Sequence, residues 1–118
     1  MIRKASEIKE DQLDGFKGGK GRIVMRTLLD ESGMMHHGRK FGRTTLPPGT
    51  SIGLHTHRGD SEAWYVIRGK GRCYDAGQWV DVGPGDLMVC RDGESHSLEN
   101  TGSETLETIA LILFTPKD

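Results

Sequence analysis

Apolar residues recur along this chain in short alternating runs. Each run is stopped by glycine or proline after a few positions, and no stretch carries the period of an amphipathic helix. Strands are expected over 22–29, 41–46, 51–57, 62–68, 72–75, 78–82, 87–90, 95–100 and 105–114, the last being the most apolar. The breaks between them are specific. Pro47, Pro48 and Gly49 exclude helix and suit a tight turn, and Gly69–Gly71, Asp75–Gly77, Gly83–Asp86 and Arg91–Glu94 supply the others. Residues 1–21 read as a charged arm ending in a flexible glycine turn, Gly18–Gly21. That turn lacks the preceding strand and the Gly-Lys-Ser/Thr ending of a phosphate loop. Residues 30–40 read as a polar loop whose His36 and His37 are solvated.

Closely spaced strands of this kind predict an all-β barrel or jelly roll of two antiparallel sheets. The length, 118 residues, allows one domain, here residues 1–118, and one core. Only 34% of residues are apolar and 6% aromatic, while glycine occurs 17 times, which suits strands sharing one lean interior. The apolar faces of 105–114 and 22–29 exceed what such a core must bury, and a homodimer joined through its sheets is expected. The net charge of −1 comes from 16 basic and 17 acidic side chains mixed along the chain, without the basic stripe that nucleic acid requires. Met1–Glu7 lacks the apolar run of a signal peptide and no stretch could span a membrane, so a cytoplasmic protein is expected. Cys73 and Cys90 form no CxxC motif and read as reduced thiols packed as small hydrophobes.

Candidate chemistry concentrates in 49–69. His55 and His57 lie two apart on a strand, so their rings leave the same face. Glu62 opens the next strand after a four-residue polar turn, and a hairpin folds it back beside them. Trp64 shares the parity of Glu62 and is a candidate wall of a substrate pocket; Arg43, mid-strand, is a candidate anchor for a substrate carboxylate if it points inward. Asp60 and Glu94 flank the donors in turns, where solvation accounts for them. No Gly-x-Ser-x-Gly elbow or HExxH helix is present, so any reaction must run through a metal.

The stretch from Gly49 to Gly69 has the form Gly-x5-His-x-His-x4-Glu-x6-Gly. A second stretch, 85–100, carries Gly85, Asp92, Gly93, His96 and Asn100 at matching intervals. Together they resemble the paired motifs of the cupin superfamily, in particular its small single-domain members related to oxalate-binding and oxalate decarboxylase-like proteins. The one departure is Arg91, where that family usually has proline, and it bears on the shape of a turn. The resemblance covers residues 41–114 well and residues 1–30 hardly at all. It implies that His55, His57, Glu62 and His96 hold one divalent transition metal (Mn, Fe, Ni, Co or Zn), with two positions open for water or substrate. By analogy, the ion acts as a Lewis acid on a small carboxylate or an oxo or hydroxy acid, as in oxalate decarboxylation. A non-catalytic binder or sensor of a small acid or sugar is the alternative, with sugar isomerisation or metal-dependent dioxygenation beyond it.

Overall fold

A computed structural model describes residues 1–117. Ten strands run in order: β1 (Glu10–Asp14), β2 (Arg22–Asp30), β3 (Gly38–Leu46), β4 (Ser51–Thr56), β5 (Asp60–Arg68), β6 (Gly71–Asp75), β7 (Gln78–Val82), β8 (Leu87–Cys90), β9 (Ser95–Glu99) and β10 (Leu106–Phe114). Two single-turn 3-10 helices, Ala5–Glu7 and Phe16–Gly18, precede β1 and β2. The strands form a six-stranded sheet, β1-β2-β3-β10-β5-β8, and a four-stranded sheet, β4-β9-β6-β7, with every pairing antiparallel. The order β3-β10-β5-β8 over β4-β9-β6-β7 is that of a jelly roll, which β1 and β2 extend along one edge.

Period-two alternation decides which side chains meet. On β10, Leu106, Thr108, Ala110 and Ile112 are buried, and on β5 so are Asp60, Glu62, Trp64 and Val66. Ile23, Leu46, Ile52, Trp64, Val66, Leu98 and Leu106 form the centre of the core. Each such side chain contributes about 1.5–3 kcal/mol by leaving water. Trp64 sits between this core and the polar end of the sandwich.

Two expectations need correction. The arm 1–21 contains strand β1, which pairs with β2 from Glu10 opposite Arg26 to Asp14 opposite Arg22. The charges that hid it mark an edge strand, where Arg22–Asp14 and Arg26–Glu10 ion pairs lie on solvated faces. The polar loop 30–40 ends sooner than expected, because β3 begins at Gly38 and Lys40 already lies on it, opposite Ile112 of β10. The Gly18–Gly21 turn is also docked. Lys20 exchanges bonds with Ser51, its N–H donating to Oγ and its carbonyl accepting from the Ser51 N–H. Gly19 and Gly53 lie where a Cβ on either would collide with the opposite backbone.

Candidate metal centre

The two motif stretches meet because β4 and β9 are neighbours, with His55 directly opposite His96. The β4–β5 turn is clamped to the β8–β9 turn. His57 N–H donates to the Glu94 carbonyl, Gly93 N–H to the His57 carbonyl, and Gly59 N–H to Asp92 Oδ1 at 3.0 Å. Gly59 holds φ +80°, a left-handed conformation that a side chain would strain. β5 then returns with Glu62 facing the imidazoles.

Four donor atoms converge there. His57 Nε2 lies 3.1 Å from both Glu62 Oε1 and His96 Nε2. His96 Nε2 lies 2.9 Å from His55 Nε2 and 3.2 Å from Glu62 Oε1, while His55 Nε2 and Glu62 Oε1 are 3.9 Å apart. All four lie within 4.8 Å of one another. Ligands at right angles around one ion, on bonds of about 2.1 Å, sit about 3.0 Å apart, which is close to four of these spacings.

Protonation makes the same point. His55 Nδ1 donates to the Gly53 carbonyl at 2.8 Å, and His57 Nδ1 donates to Asp60 Oδ1 at 2.7 Å. With the proton on Nδ1, each neutral ring turns a bare Nε2 lone pair towards the centre. Lone pairs on His55 and His57 and a carboxylate oxygen at these separations repel unless a cation, whether proton or metal, lies among them. The residues therefore fit a divalent metal, and the donor set lacks the thiolates typical of closed structural zinc sites.

The electrostatics agree. In the metal-free chain, where protons on Nε2 take the place of the cation, burial alone would raise the Glu62 carboxyl, yet hydrogen bonding to His55, His57 and His96 holds it well below the usual carboxylate range. The Glu62 carboxylate raises His57 above the ordinary imidazole value, with burial opposing and Asp60 adding. Burial lowers His96, with Glu62 opposing. Trp64 stacks flat on His96, ring centroids 3.8 Å apart and planes 4° from parallel, which fixes the rotation of that imidazole.

A cavity of about 420 Å³ opens beside the donors; His55, His57, Glu62 and Trp64 line it, while His96 lines a second one. Arg43 does not. It falls on the outward parity of β3, where its guanidinium bonds Glu107 Oε2 at 2.7 Å across the sheet. A substrate anchor at Arg43 is thereby corrected: the alternation of β3 sends Lys40 and Thr44 inward instead. Asp60 is likewise not the solvated turn residue expected: it opens β5 with its side chain inward. It is 4% exposed, accepts from His57 through Oδ1 and takes Arg39 Nε on Oδ2 at 3.1 Å. Its shared parity with Glu62 and Trp64 was the signal that could have found it.

The remaining motif residues shape turns. The Asn100 amide donates to the carbonyls of Leu46 and Glu104, each at 2.8 Å. Arg91 uses the N–H that proline would lack, donating to Glu94 Oε1 at 2.7 Å. His36 lies exposed beside Glu31, away from the centre.

Known proteins resemble this arrangement over most of its length. The model of the cupin domain family matches residues 42–112. An oxalate-binding protein of Thermotoga maritima is 42% identical over 113 residues, covering 96% of this chain and 93% of that protein. The crystal structure of a predicted oxalate decarboxylase from Thermotoga maritima superposes with a TM-score of 0.93 at 41% identity, covering 98% of this chain and all of the other. The cupin domain of an XRE family transcriptional regulator from Enterobacter cloacae shares the fold at a TM-score of 0.68 and 20% identity, covering 80% of this chain and 98% of that one.

Proposed function

The chain belongs to the cupin domain family, and from that premise we propose that it holds one divalent metal on His55, His57, Glu62 and His96 and uses it to bind a small carboxylate such as oxalate. The observation that carries the reading is the convergence of three imidazole nitrogens and one carboxylate oxygen, two of the rings having an acceptor that holds the proton on Nδ1 and leaves Nε2 free. A divalent ion held there supplies Lewis acidity and open coordination positions for ligand oxygens; Mn, Fe, Ni, Co and Zn all suit the donor set. Asp60 keeps His57 in the required tautomer, Trp64 keeps His96 in place, and the apolar walls from Met25, Ile52 and Ile112 limit water.

Binding is the reading that the donor set alone carries. Turnover of an oxalate-like acid needs in addition a proton donor beside it. Among the described residues Asp60, the lining carboxyl apart from Glu62, is tied to His57 and Arg39, and Lys40 is a lining ammonium that could serve. Calorimetric titration of oxalate into metal-loaded and metal-free protein tests the reading. Binding to the loaded form alone is expected, whereas equal binding to both forms, or to neither, contradicts it. Carbon dioxide release from bound oxalate would move the assignment to an enzyme.

A homodimer and a cytoplasmic setting complete the proposal. Tyr65, Leu87, Val89 and Leu113 are partly exposed on neighbouring strands of the six-stranded sheet, which supports pairing of two copies, and light scattering tests it. Among the described residues no helix is long and apolar enough to cross a membrane.

A further inference from the structure

The sheet face that carries Glu62 also carries charge and polarity that the metal site does not use: Lys40 lies in one row with Glu62, with Ile112 between them. Lys40 and Thr44 project inward from β3 on either side of Gly42. The Lys40 stem lies back over Gly42: a Cβ built there would meet Lys40 Cε at 3.4 Å and the Arg26 carbonyl oxygen at 2.8 Å. The Lys40 ammonium has no carboxylate partner among the described residues, and its one polar contact is the Met25 thioether, at 3.5 Å. Lys17, on the docked 3-10 turn, lines the same cavity and is likewise without an ion pair. Burial holds the Lys40 ammonium below its ordinary value; the Glu62 charge opposes this and Lys17 adds to it. Thr44 is fully buried, yet its Oγ1 has no hydrogen-bond partner among the described residues; Thr108, opposite it on β10, is in the same state. A half-buried ammonium near a second cation, together with a buried hydroxyl that has no partner among the described residues, is a lining that an anion would complete.

We infer that Lys40 and Thr44 form an anion subsite that makes the cavity selective for dianionic dicarboxylates over monoanionic acids, with Lys17 adding positive charge at the mouth. The inference rests on the proposed metal-dependent carboxylate binding. Charge counting gives its logic. A divalent ion with the Glu62 carboxylate carries +1, which a monoanion neutralises. A dicarboxylate leaves −1, and Lys40, two strands from Glu62 on the same sheet face, compensates it. Thr44 lines the cavity with its Oγ1 enclosed, and a turn of the side chain would bring that hydroxyl to a carboxylate oxygen and relieve its orphaned state.

Oxalate and glycolate separate the two claims, because both can chelate a metal through two oxygens and only oxalate is a dianion. Metal-loaded wild type, Lys40→Met, Lys40→Arg and Thr44→Val are titrated calorimetrically with each, alongside metal analysis and melting temperature. Lys40→Met preserves the stem volume and should keep its metal, while losing about 10-fold or more in oxalate affinity and less than about 2-fold for glycolate. Lys40→Arg should retain most of the preference, and Thr44→Val should lose about 3-fold for oxalate alone. Lys40→Met binding oxalate as tightly as wild type, or losing both ligands equally with its metal intact, overturns the subsite and leaves the metal reading standing. If Lys40→Met loses metal, Lys40→Arg and Thr44→Val decide: an unchanged oxalate-to-glycolate ratio in Thr44→Val together with a collapsed one in Lys40→Arg overturns it. Failure of wild type to bind either acid removes the carboxylate reading and the subsite with it.

Discussion

The cavity lining has two parts built on different principles. On the donor wall every ring is held from behind: Gly53 fixes His55, Asp60 fixes His57, and Trp64 fixes His96. Beside it, among the described residues, Lys40 and Lys17 form no ion pair and Thr44 Oγ1 has no partner. A group with fixed supports is preorganised for one occupant, whereas a group without partners is stabilised only when a ligand arrives. The contrast separates the part that holds an ion from the part that selects what joins it.

The largest effect expected on the donor wall comes from Trp64. Trp64→Ala removes a side chain that is 2% exposed and bridges the core to His96; it should cost about 3–5 kcal/mol in urea unfolding and weaken metal binding as well. Normal metal affinity in a destabilised mutant would show that the stacking does not position His96. Asp60→Asn comes next. It replaces the acceptor of the His57 Nδ1 proton and should lower metal affinity by about 10–100-fold in competition with a chromophoric chelator. An unchanged affinity would mean that the tautomer of His57 is set elsewhere.

The effect of pH sharpens the comparison further. His57 is raised in the folded chain, so its contribution to metal-free stability is present below the ordinary imidazole value and is lost as pH rises through the raised one. His96 is lowered, so its contribution is lost as pH falls. The two losses fall on opposite sides of the ordinary imidazole value, so the melting temperature of metal-free protein should peak near that value and decline on either side. Metal requires neutral rings, so the gain in melting temperature on adding metal should grow with pH over the same range. A gain independent of pH would exclude imidazole ligands. The smallest effect is chemical. Burial, with Asp75 next, pushes Cys73 up to about 12, and burial, with Glu94 next, pushes Cys90 up to about 11. Thiolate at pH 8 is then about one part in a thousand or less, and Ellman's reagent should label both cysteines only after unfolding.

The same contrast explains what the amino-acid order revealed. His55, His57, Glu62 and His96 were legible because strand parity and fixed spacing bring them to one place, and the glycines between them mark the turns. Asp60 obeyed the same parity and was missed because a charged residue beside a glycine turn reads as solvated. Lys40, Thr44 and Lys17 gave no signal. Lys40 sits at a polar strand start that local pattern assigns to a loop, and Lys17 reaches the cavity only because Gly19 lets its segment dock on β4 at Gly53. β1, with Leu13 as its only large apolar residue, shows no alternation of its own and becomes a strand by pairing with β2.

Metal analysis of wild type and His96→Ala, each purified without added metal and then equilibrated with one divalent ion, tests the central claim most directly. One ion per chain in wild type and a large loss in a His96→Ala protein that remains folded is the predicted result. Stoichiometric metal retained in the mutant would contradict the claim that this histidine joins His55, His57 and Glu62 around one cation.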